Sequence, residues 1–117
     1  MRHRKGNKKI GRPTDHRMAM LKNQVTQLLL HGKITTTETK ARATKRLAEK
    51  TITTARAGDL QAKRLARKVV NNPEAFKKLF AEIGPRYKDQ NGGYVRMVKL
   101  PPRRGDATPM AMIMLSE

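Results

Sequence analysis

The sequence predicts an α+β protein with the element order helix, strand, three helices, two strands. Apolar residues recur at helical spacing over much of residues 15–83. A short β-branched run lies at 34–37, and two further strand-like runs lie at 94–100 and 110–115. With 117 residues the chain has room for one modest core. We therefore expect a small three-stranded mixed sheet packed against helices.

A basic extended arm is predicted at residues 1–14, ahead of a single domain at 15–117. Between Arg2 and Arg12 the chain has six Lys or Arg, one His and no acid, and the apolar side chain is Ile10. A segment with so little to bury cannot offset its chain entropy by folding on itself. It is therefore either an idle charged tail or an arm that becomes ordered on a polyanion.

The first helix is predicted at about residues 15–31. Asp15 is a suitable N-cap, and Gly32 provides a C-terminal stop. The apolar residues between them recur at helical spacing and define one face: Met18, Leu21, Val25, Leu28 and Leu29. A strand is predicted to follow at 34–37, because the run is β-branched and too short for a helix.

The second helix is predicted to run to about Ala57 and to end at Gly58. Thr35 and Glu38 have the spacing of a capping box at its start. Its inward stripe consists mostly of small residues: Ala41, Thr44, Ala48, Ile52 and Ala55. We therefore expect this helix to lie close to its neighbours.

Asp59 is a candidate N-cap for a third helix, which should extend to about Val70. One face of this helix is apolar and the other is cationic, which is typical of a surface helix. The apolar face contains Ala62, Leu65, Ala66, Val69 and Val70. The cationic face contains Lys63, Arg64, Arg67 and Lys68.

Asn72 and Pro73 indicate the start of a fourth helix, since they provide an N-cap and a proline at the first helical position. Its apolar stripe comprises Phe76, Leu79, Phe80 and Ile83. The dipeptide Gly84-Pro85 is predicted to end it.

Two strands are predicted in the last third of the chain. The first is Tyr94 to Leu100, with Tyr94, Val98 and Leu100 on one face. The second is Met110 to Leu115, which is almost wholly apolar and should be central or covered on both faces. The loop at 101–109 would allow these two strands to pair in an antiparallel manner.

Positive charge is the dominant compositional feature. The chain has 27 Lys and Arg against 9 Asp and Glu, a net charge of +18. Both parts contribute, since residues 1–50 have 14 cations and 3 acids (+11) and residues 51–117 have 13 and 6 (+7). Such a protein repels itself unless an anionic partner neutralises it, and nucleic acid is the favoured partner. A membrane surface is a weaker alternative, because the chain has no Trp and only two Phe and two Tyr.

Enzymatic chemistry finds little support in the sequence. There is no Cys, and His3, His16 and His31 have no carboxylate at metal-binding spacing. No glycine-rich phosphate loop, transmembrane stretch or secretory signal is present. We therefore expect no catalytic residues, no metal and no cofactor. The methionines near the C-terminus are expected to fill core gaps, and Arg104-Gly105-Asp106 is expected to be a basic loop rather than an adhesion motif.

The cationic residues favour folded RNA as the partner. The outer face of the third helix carries one sign of charge, whereas a merely solvated face usually mixes signs. Proteins that bind single-stranded nucleic acid stack the bases on aromatic side chains. This chain has four aromatic residues, three of them in predicted core stripes, and these are too few for such a surface. The remaining mode is binding through the shape and the backbone charge of the nucleic acid. The alternative is a nucleoid-type basic DNA-binding protein, which would use the same charge.

Several motifs are more specific than charge. They are Arg2-His3 with Gly11-Arg12-Pro13, Pro85-Arg86-Tyr87 with Gly92-Gly93-Tyr94, and Arg103-Arg104-Gly105-Asp106. With these, the chain resembles the bacterial large-subunit ribosomal protein L17 family over essentially its whole length. One departure is Lys45-Arg46-Leu47, where many members have Leu-Arg-Pro, so the second helix is expected to run straighter.

The resemblance implies a structural constituent of the large ribosomal subunit that binds 23S rRNA, is cytoplasmic and ribosome-bound, and has no catalytic role. It also implies neighbours such as ribosomal proteins L32 and L22. The predicted rRNA-binding residues are Arg2, His3, Arg4, Lys5, Lys8, Lys9, Arg12, Arg17, Arg42, Arg46, Lys63, Arg64, Arg67, Lys68, Arg86, Lys88, Arg103 and Arg104.

Overall fold

A computed structural model describes residues 14–116. Residues 1–13 of the predicted arm lie outside this range. The helices are α1 (Thr14–His31), α2 (Glu38–Ala55), α3 (Leu60–Arg67), α4 (Pro73–Lys78) and α5 (Gly84–Arg86), with a π-helical segment at Leu79–Ile83 between the last two. The strands are β1 (Lys33–Thr37), β2 (Val95–Leu100) and β3 (Met110–Leu115). The predicted α+β class and element order are confirmed.

The sheet has the order β1-β3-β2, and both pairs are antiparallel rather than mixed. Thr35 of β1 and Val98 of β2 both lie opposite Met112 of β3. The helical crossover makes β1 and β2 parallel to each other, but β3 inserts between them and removes the parallel pair. Since β3 is the most apolar strand, it takes the central position that its composition predicts.

The core lies between α1, α2, the helical segment 73–86 and one face of the sheet. The predicted stripe of α2 is confirmed, since Ala41, Ala48 and Ile52 are fully buried against the other core residues. Tyr87 and Tyr94 are also buried, and their ring centroids lie 5.2 Å apart. Small residues on α2 let its neighbours approach closely, so α2 is the central helix of the fold.

Two of the three predicted N-caps are confirmed, whereas Asp15 lies within the first turn of α1, which begins at Thr14. The Asp59 carboxylate accepts a hydrogen bond from the backbone N–H of Ala62 at 2.8 Å. The Asn72 side chain accepts from the N–H groups of Glu74 and Ala75 at 2.9 and 3.1 Å. Each cap satisfies backbone donors that a helix N-terminus would otherwise leave unpaired.

The predicted capping box at the start of α2 is wrong. Thr35 lies within β1, and the N-cap is Thr37, whose side chain makes no capping hydrogen bond. The backbone N–H of Glu38 instead donates to the Pro109 carbonyl at 3.0 Å. A donor at the helix start is therefore satisfied by the backbone of the residue that precedes β3.

The third helix is shorter than predicted and one of its apolar residues is not buried. α3 ends at Arg67, and the Leu65 side chain is 42% exposed. Ala62 and Ala66 are the residues of α3 that face α2, and both are buried. Two alanines one turn apart bring the helices together, so Leu65 lies beside the contact rather than in it.

The dipeptide Gly84-Pro85 does not end the fourth helix. The chain continues through the π-helical segment and α5 to Arg86. A Cβ on Gly84 would lie 3.2 Å from the carbonyl oxygens of Ala55 and Leu79. The glycine is therefore needed for close approach to the end of α2, and proline is tolerated because it stands in the first turn of α5.

The predicted common face of Tyr94, Val98 and Leu100 is also wrong. Tyr94 precedes β2 and is buried against the helices, whereas Val98 is 44% exposed on the opposite side of the sheet. The core face of β2 is formed by Val95 and Met97. Strict alternation along a strand would place Tyr94 and Val98 on the same face, but Tyr94 lies before β2, where the alternation does not yet apply.

Candidate nucleic-acid interface

The outer face of α2 carries four cations at helical spacing. Arg42, Arg46 and Lys50 lie on the side of the helix opposite the buried alanines, and Lys45, which is half-buried, lies at the edge of that face. Arg42 is paired with Glu38, with a distance of 2.5 Å between Nη2 and Oε1. Because α2 is fixed by packing along its whole inner face, these cations project from a rigid element.

A groove of about 1150 Å³ follows this outer face. One side of it is formed by α3 through Leu65, Ala66 and Val69. The other side is formed by Met97 of β2 and by the turn at residues 91–93. The groove therefore has an apolar lining as well as the four α2 cations.

Among residues 14–116, Glu49 is the one acid that lines the groove. Its carboxylate oxygens accept hydrogen bonds from the backbone N–H groups of Tyr94 at 3.3 Å and Val95 at 3.0 Å. These bonds fix the start of β2 to α2. The acid has a structural role, and the groove remains strongly positive.

A buried network holds the loop between α5 and β2. The Arg56 guanidinium donates to the Tyr94 hydroxyl at 2.9 Å and to the Lys88 carbonyl at 2.8 Å. The Tyr94 hydroxyl in turn donates to the Gln90 carbonyl at 3.1 Å. Sequence reasoning missed Arg56, because its partners lie more than 30 residues away and leave no local pattern.

Two of the four predicted α3 cations lie over aromatic rings. The Arg67 guanidinium is 4.8 Å from the Phe76 ring centroid, and the Lys63 ammonium is 6.0 Å from that of Phe80. Both distances are within the range of cation–π attraction. Arg64 and Lys68 are exposed. The single-signed face of α3 therefore covers half-buried phenylalanines of the next helix as well as facing solvent.

The two arginines of the loop at 101–109 differ in their hydrogen bonding. Arg103 donates to the Asp106 carboxylate at 2.7 and 3.3 Å, whereas Arg104 is exposed. Hydrogen bonds from Arg103 and then from Thr108 hold the pKa of Asp106 well below its ordinary value of 3.8. The hydrogen bond with Asp106 also raises the pKa of Arg103 above its ordinary value. The ion pair organises the loop and leaves Arg104 facing outward.

The other predicted site residues are scattered. Arg86 lies 5.8 Å from the Tyr87 ring centroid, and Lys88 is exposed beside it. Arg17 is half-buried on α1. The predicted residues of the arm, from Arg2 to Arg12, lie outside the described range. The structure thus brings together Arg42 and Arg46, and it adds Lys45 and Lys50, which line the same groove although the list of predicted contacts omitted them.

Among residues 14–116 no helix has the length and apolar character needed to cross a membrane. Within the same residues there is no group of three or more His, Asp or Glu side chains placed to hold a metal ion.

Comparison with known proteins places a cationic α+β fold of this kind among the ribosomal proteins. Residues 20–116 match the sequence model of a family described as ribosomal protein L17. A relative from Clostridium tetani, named large ribosomal subunit protein bL17, is 54% identical over 110 residues, which is 94% of this chain and 97% of the relative. Relatives with the same name from Clostridium perfringens (strain SM101) and Thermoanaerobacter sp. (strain X514) are 53% and 50% identical over 110 residues, covering 94% of this chain and 97% and 98% of their own lengths.

The chain belongs to the ribosomal protein L17 family. The resemblance inferred from the motifs is therefore confirmed. As a member, it is a structural component of the ribosome and not an enzyme. Its cytoplasmic, ribosome-bound location follows from the same membership.

Proposed function

We propose that this protein binds 23S rRNA by neutralising phosphates and by fitting the shape of the folded RNA. A structural role in the large ribosomal subunit follows from its family; the mode of binding is the new element. The observation that carries it is the outer face of α2, where four cations line one groove and the single acid is bonded to backbone N–H groups. A groove with four cations and one acid on a rigid helix favours a polyanion.

Three cationic regions supply the contacts in this proposal. The groove holds one part of the RNA, the exposed Arg104 and Lys88 reach it from two loops, and the basic arm at 1–14 enters crevices. Cations that stand close to phosphates release condensed counterions, so affinity depends on salt. If about eight phosphates are neutralised, log K should fall against log salt with a slope of magnitude roughly six or seven.

Neighbouring large-subunit proteins, such as L32 and L22, complete the proposed surroundings. Cross-linking of intact large subunits followed by mass spectrometry tests this part. Cross-links from exposed lysines such as Lys77 or Lys88 to these two proteins are the expected result. Cross-links confined to other proteins would contradict it.

Filter binding to 23S rRNA over a salt series tests the main proposal, with duplex DNA of equal length as competitor. We expect a steep salt dependence and a clear preference for the folded RNA. A flat salt dependence would rule out phosphate neutralisation. A preference for DNA would favour a nucleoid-type DNA-binding protein instead.

The role of the arm is tested by deleting residues 2–12. The deletion should weaken rRNA binding and flatten the salt slope, because six cations are lost. Helix content by circular dichroism should stay unchanged. Loss of helix in the deleted protein would show that the arm belongs to the fold.

A further inference from the structure

The groove along α2 combines two chemistries that rarely serve the same ligand. Its cations attract phosphate, yet Leu65 and Val69 present apolar surface to the same space. Leu65 is 42% exposed because it lies beside the contact between α3 and α2 rather than in it. Phosphates of a regular duplex would leave this apolar surface in contact with water and ions. A ligand that carries both negative charge and apolar surface suits the groove better.

The opposite side of the groove adds hydrogen-bonding groups and open space. Asn91 is exposed there, and the turn that follows consists of Gly92 and Gly93. A Cβ placed on Gly92 would have nothing within 4 Å, so the space beside this backbone is open. The Gln90 side chain donates to the carbonyls of Gly92 and Gly93 at 2.7 and 3.1 Å, which fixes the turn. This wall of the groove is therefore fixed by hydrogen bonds, and its glycines leave open space beside the backbone.

Met97 adds a polarisable surface on the same side. Thioether sulfur makes favourable contacts with aromatic rings and adapts to irregular shapes. A nucleobase is a flat aromatic ring with hydrogen-bonding edges, and its backbone supplies the negative charge. Lys45 and Lys50 are five residues apart on α2, about 7.5 Å along the helix axis and about 140° around it. Both line the groove, so they enter it from two sides of the helix and can contact phosphates on either side of one nucleotide.

We propose that this groove binds unpaired nucleotides of RNA, with a base against Leu65, Val69 and Met97 and the flanking phosphates against Lys45 and Lys50. This proposal rests on the proposed function and makes it more specific. The charge of the groove selects an anionic occupant, and its apolar lining selects one with an exposed ring. An acidic polypeptide is the competing occupant, and the test includes it.

Two RNA hairpins that differ in a three-nucleotide bulge provide the test, with the full chain as the protein. We expect about tenfold tighter binding to the bulged hairpin than to the fully paired one, the gain that burial of roughly 55 Å² of apolar surface in the groove would give. Leu65→Ser should reduce this preference to less than threefold while affinity for the paired hairpin stays unchanged. Leu65→Met should retain the preference.

Leu60→Ser is the matched control, because Leu60 is 64% exposed on the same helix and does not line the groove. This variant should keep the full preference for the bulge. Circular dichroism confirms that each variant is folded. An equal loss of preference in Leu60→Ser and Leu65→Ser would overturn the proposal.

Three other outcomes also decide the matter. Equal binding to both hairpins with intact 23S rRNA binding overturns the groove proposal and leaves the proposed function in place. No binding to either hairpin or to 23S rRNA overturns the proposed function itself. Displacement of the bulged RNA by poly-glutamate, with a dependence on Leu65, would identify an acidic polypeptide as the occupant.

Discussion

Helices α2 and α3 both present a row of cations to the outside, but they use these cations differently. On α2, the side chains of Lys45 and Lys50 border an open groove. On α3, Lys63 and Arg67 lie over phenylalanine rings of the following helical segment. By the criterion of charge sign alone α3 was the better candidate, since its outer face has no acid. A cationic face in a sequence therefore does not show which cations are available to a ligand.

The difference originates in what lies beside each helix. The rings of Phe76 and Phe80 are half-buried with centroids 4.9 Å apart, and their outer surfaces need cover. α3 is only eight residues long and lies close to α2 through two alanines, so its long cationic side chains can extend over these rings. Within the described part of the chain no aromatic ring lines the groove on α2, and its cations line the open space instead.

The largest expected effect is on RNA affinity when Lys45 and Lys50 are both replaced by Gln. Each lost phosphate contact costs roughly sixfold in affinity at 0.1 M salt. The pair should therefore weaken 23S rRNA binding by about 40-fold and flatten the salt slope by about 1.6. Filter binding over a salt series measures both quantities.

The matched control is the replacement of Lys63 and Arg67 by Gln, which removes the same charge from α3. We expect a several-fold smaller loss of affinity, together with a lower unfolding temperature. Equal affinity losses for the two pairs would show that α2 and α3 serve the RNA alike, and the contrast between them would fail.

Glu49→Ala should lower stability by about 2 kcal/mol, because it leaves the N–H groups of Tyr94 and Val95 without their acceptor and Val95 is buried. Urea unfolding followed by circular dichroism measures this change. RNA affinity should not fall, since the variant makes the groove more positive. Glu82→Ala, which removes an exposed acid of equal charge, should leave stability unchanged. An unaltered urea midpoint for Glu49→Ala would mean that this acid does not anchor β2.

Arg67→Gln should lower stability by about 0.5–1 kcal/mol, the usual size of an exposed cation–π contact. Lys68→Gln is the matched control on the neighbouring position, where the side chain is exposed. Urea unfolding should distinguish the two. A Lys68→Gln effect as large as that of Arg67→Gln would indicate a general charge effect rather than a ring contact.

Much of the fold could be predicted because its signals are local. The buried stripe of α2, the caps at Asp59 and Asn72 and the apolar strand at 110–115 all depend on residues within a turn or two of one another. The predicted capping box is wrong because the backbone N–H of Glu38 donates to the carbonyl of Pro109, over 70 residues away, instead of to a local side chain. Tertiary partners of this kind leave no trace in the local pattern.

The candidate site was predictable only in part for the same reason. Arg42 and Arg46, four residues apart on α2, were both among the predicted contacts, and both line the groove. The groove itself depends on Leu65, which the periodicity assigned to the core. Leu65 is exposed because two alanines bring α3 close to α2 and Leu65 lies beside this contact. The spacing of apolar residues along α3 predicts neither the distance between the two helices nor the rotation of α3 about its axis.

The smallest expected effect concerns Arg103 and Arg104. Within one loop, Arg103 is paired with Asp106 and Arg104 is exposed, which is the same kind of contrast as that between α3 and α2. Since the pKa of Asp106 is lowered in the folded protein, its pairing stabilises the loop above pH 3.8 and is lost only as pH falls through the lower folded-state value. At pH 3.8 an ordinary aspartate is half protonated, and we expect the Asp106 carboxylate to remain charged, as an NMR titration of its carboxyl carbon would show. Arg103→Ala should move the titration midpoint up towards the ordinary value, whereas Arg104→Ala should leave it in place and weaken RNA binding instead. A midpoint that responds equally to both substitutions would mean that Asp106 senses the total charge of the loop and that Arg103 is as available to RNA as its neighbour.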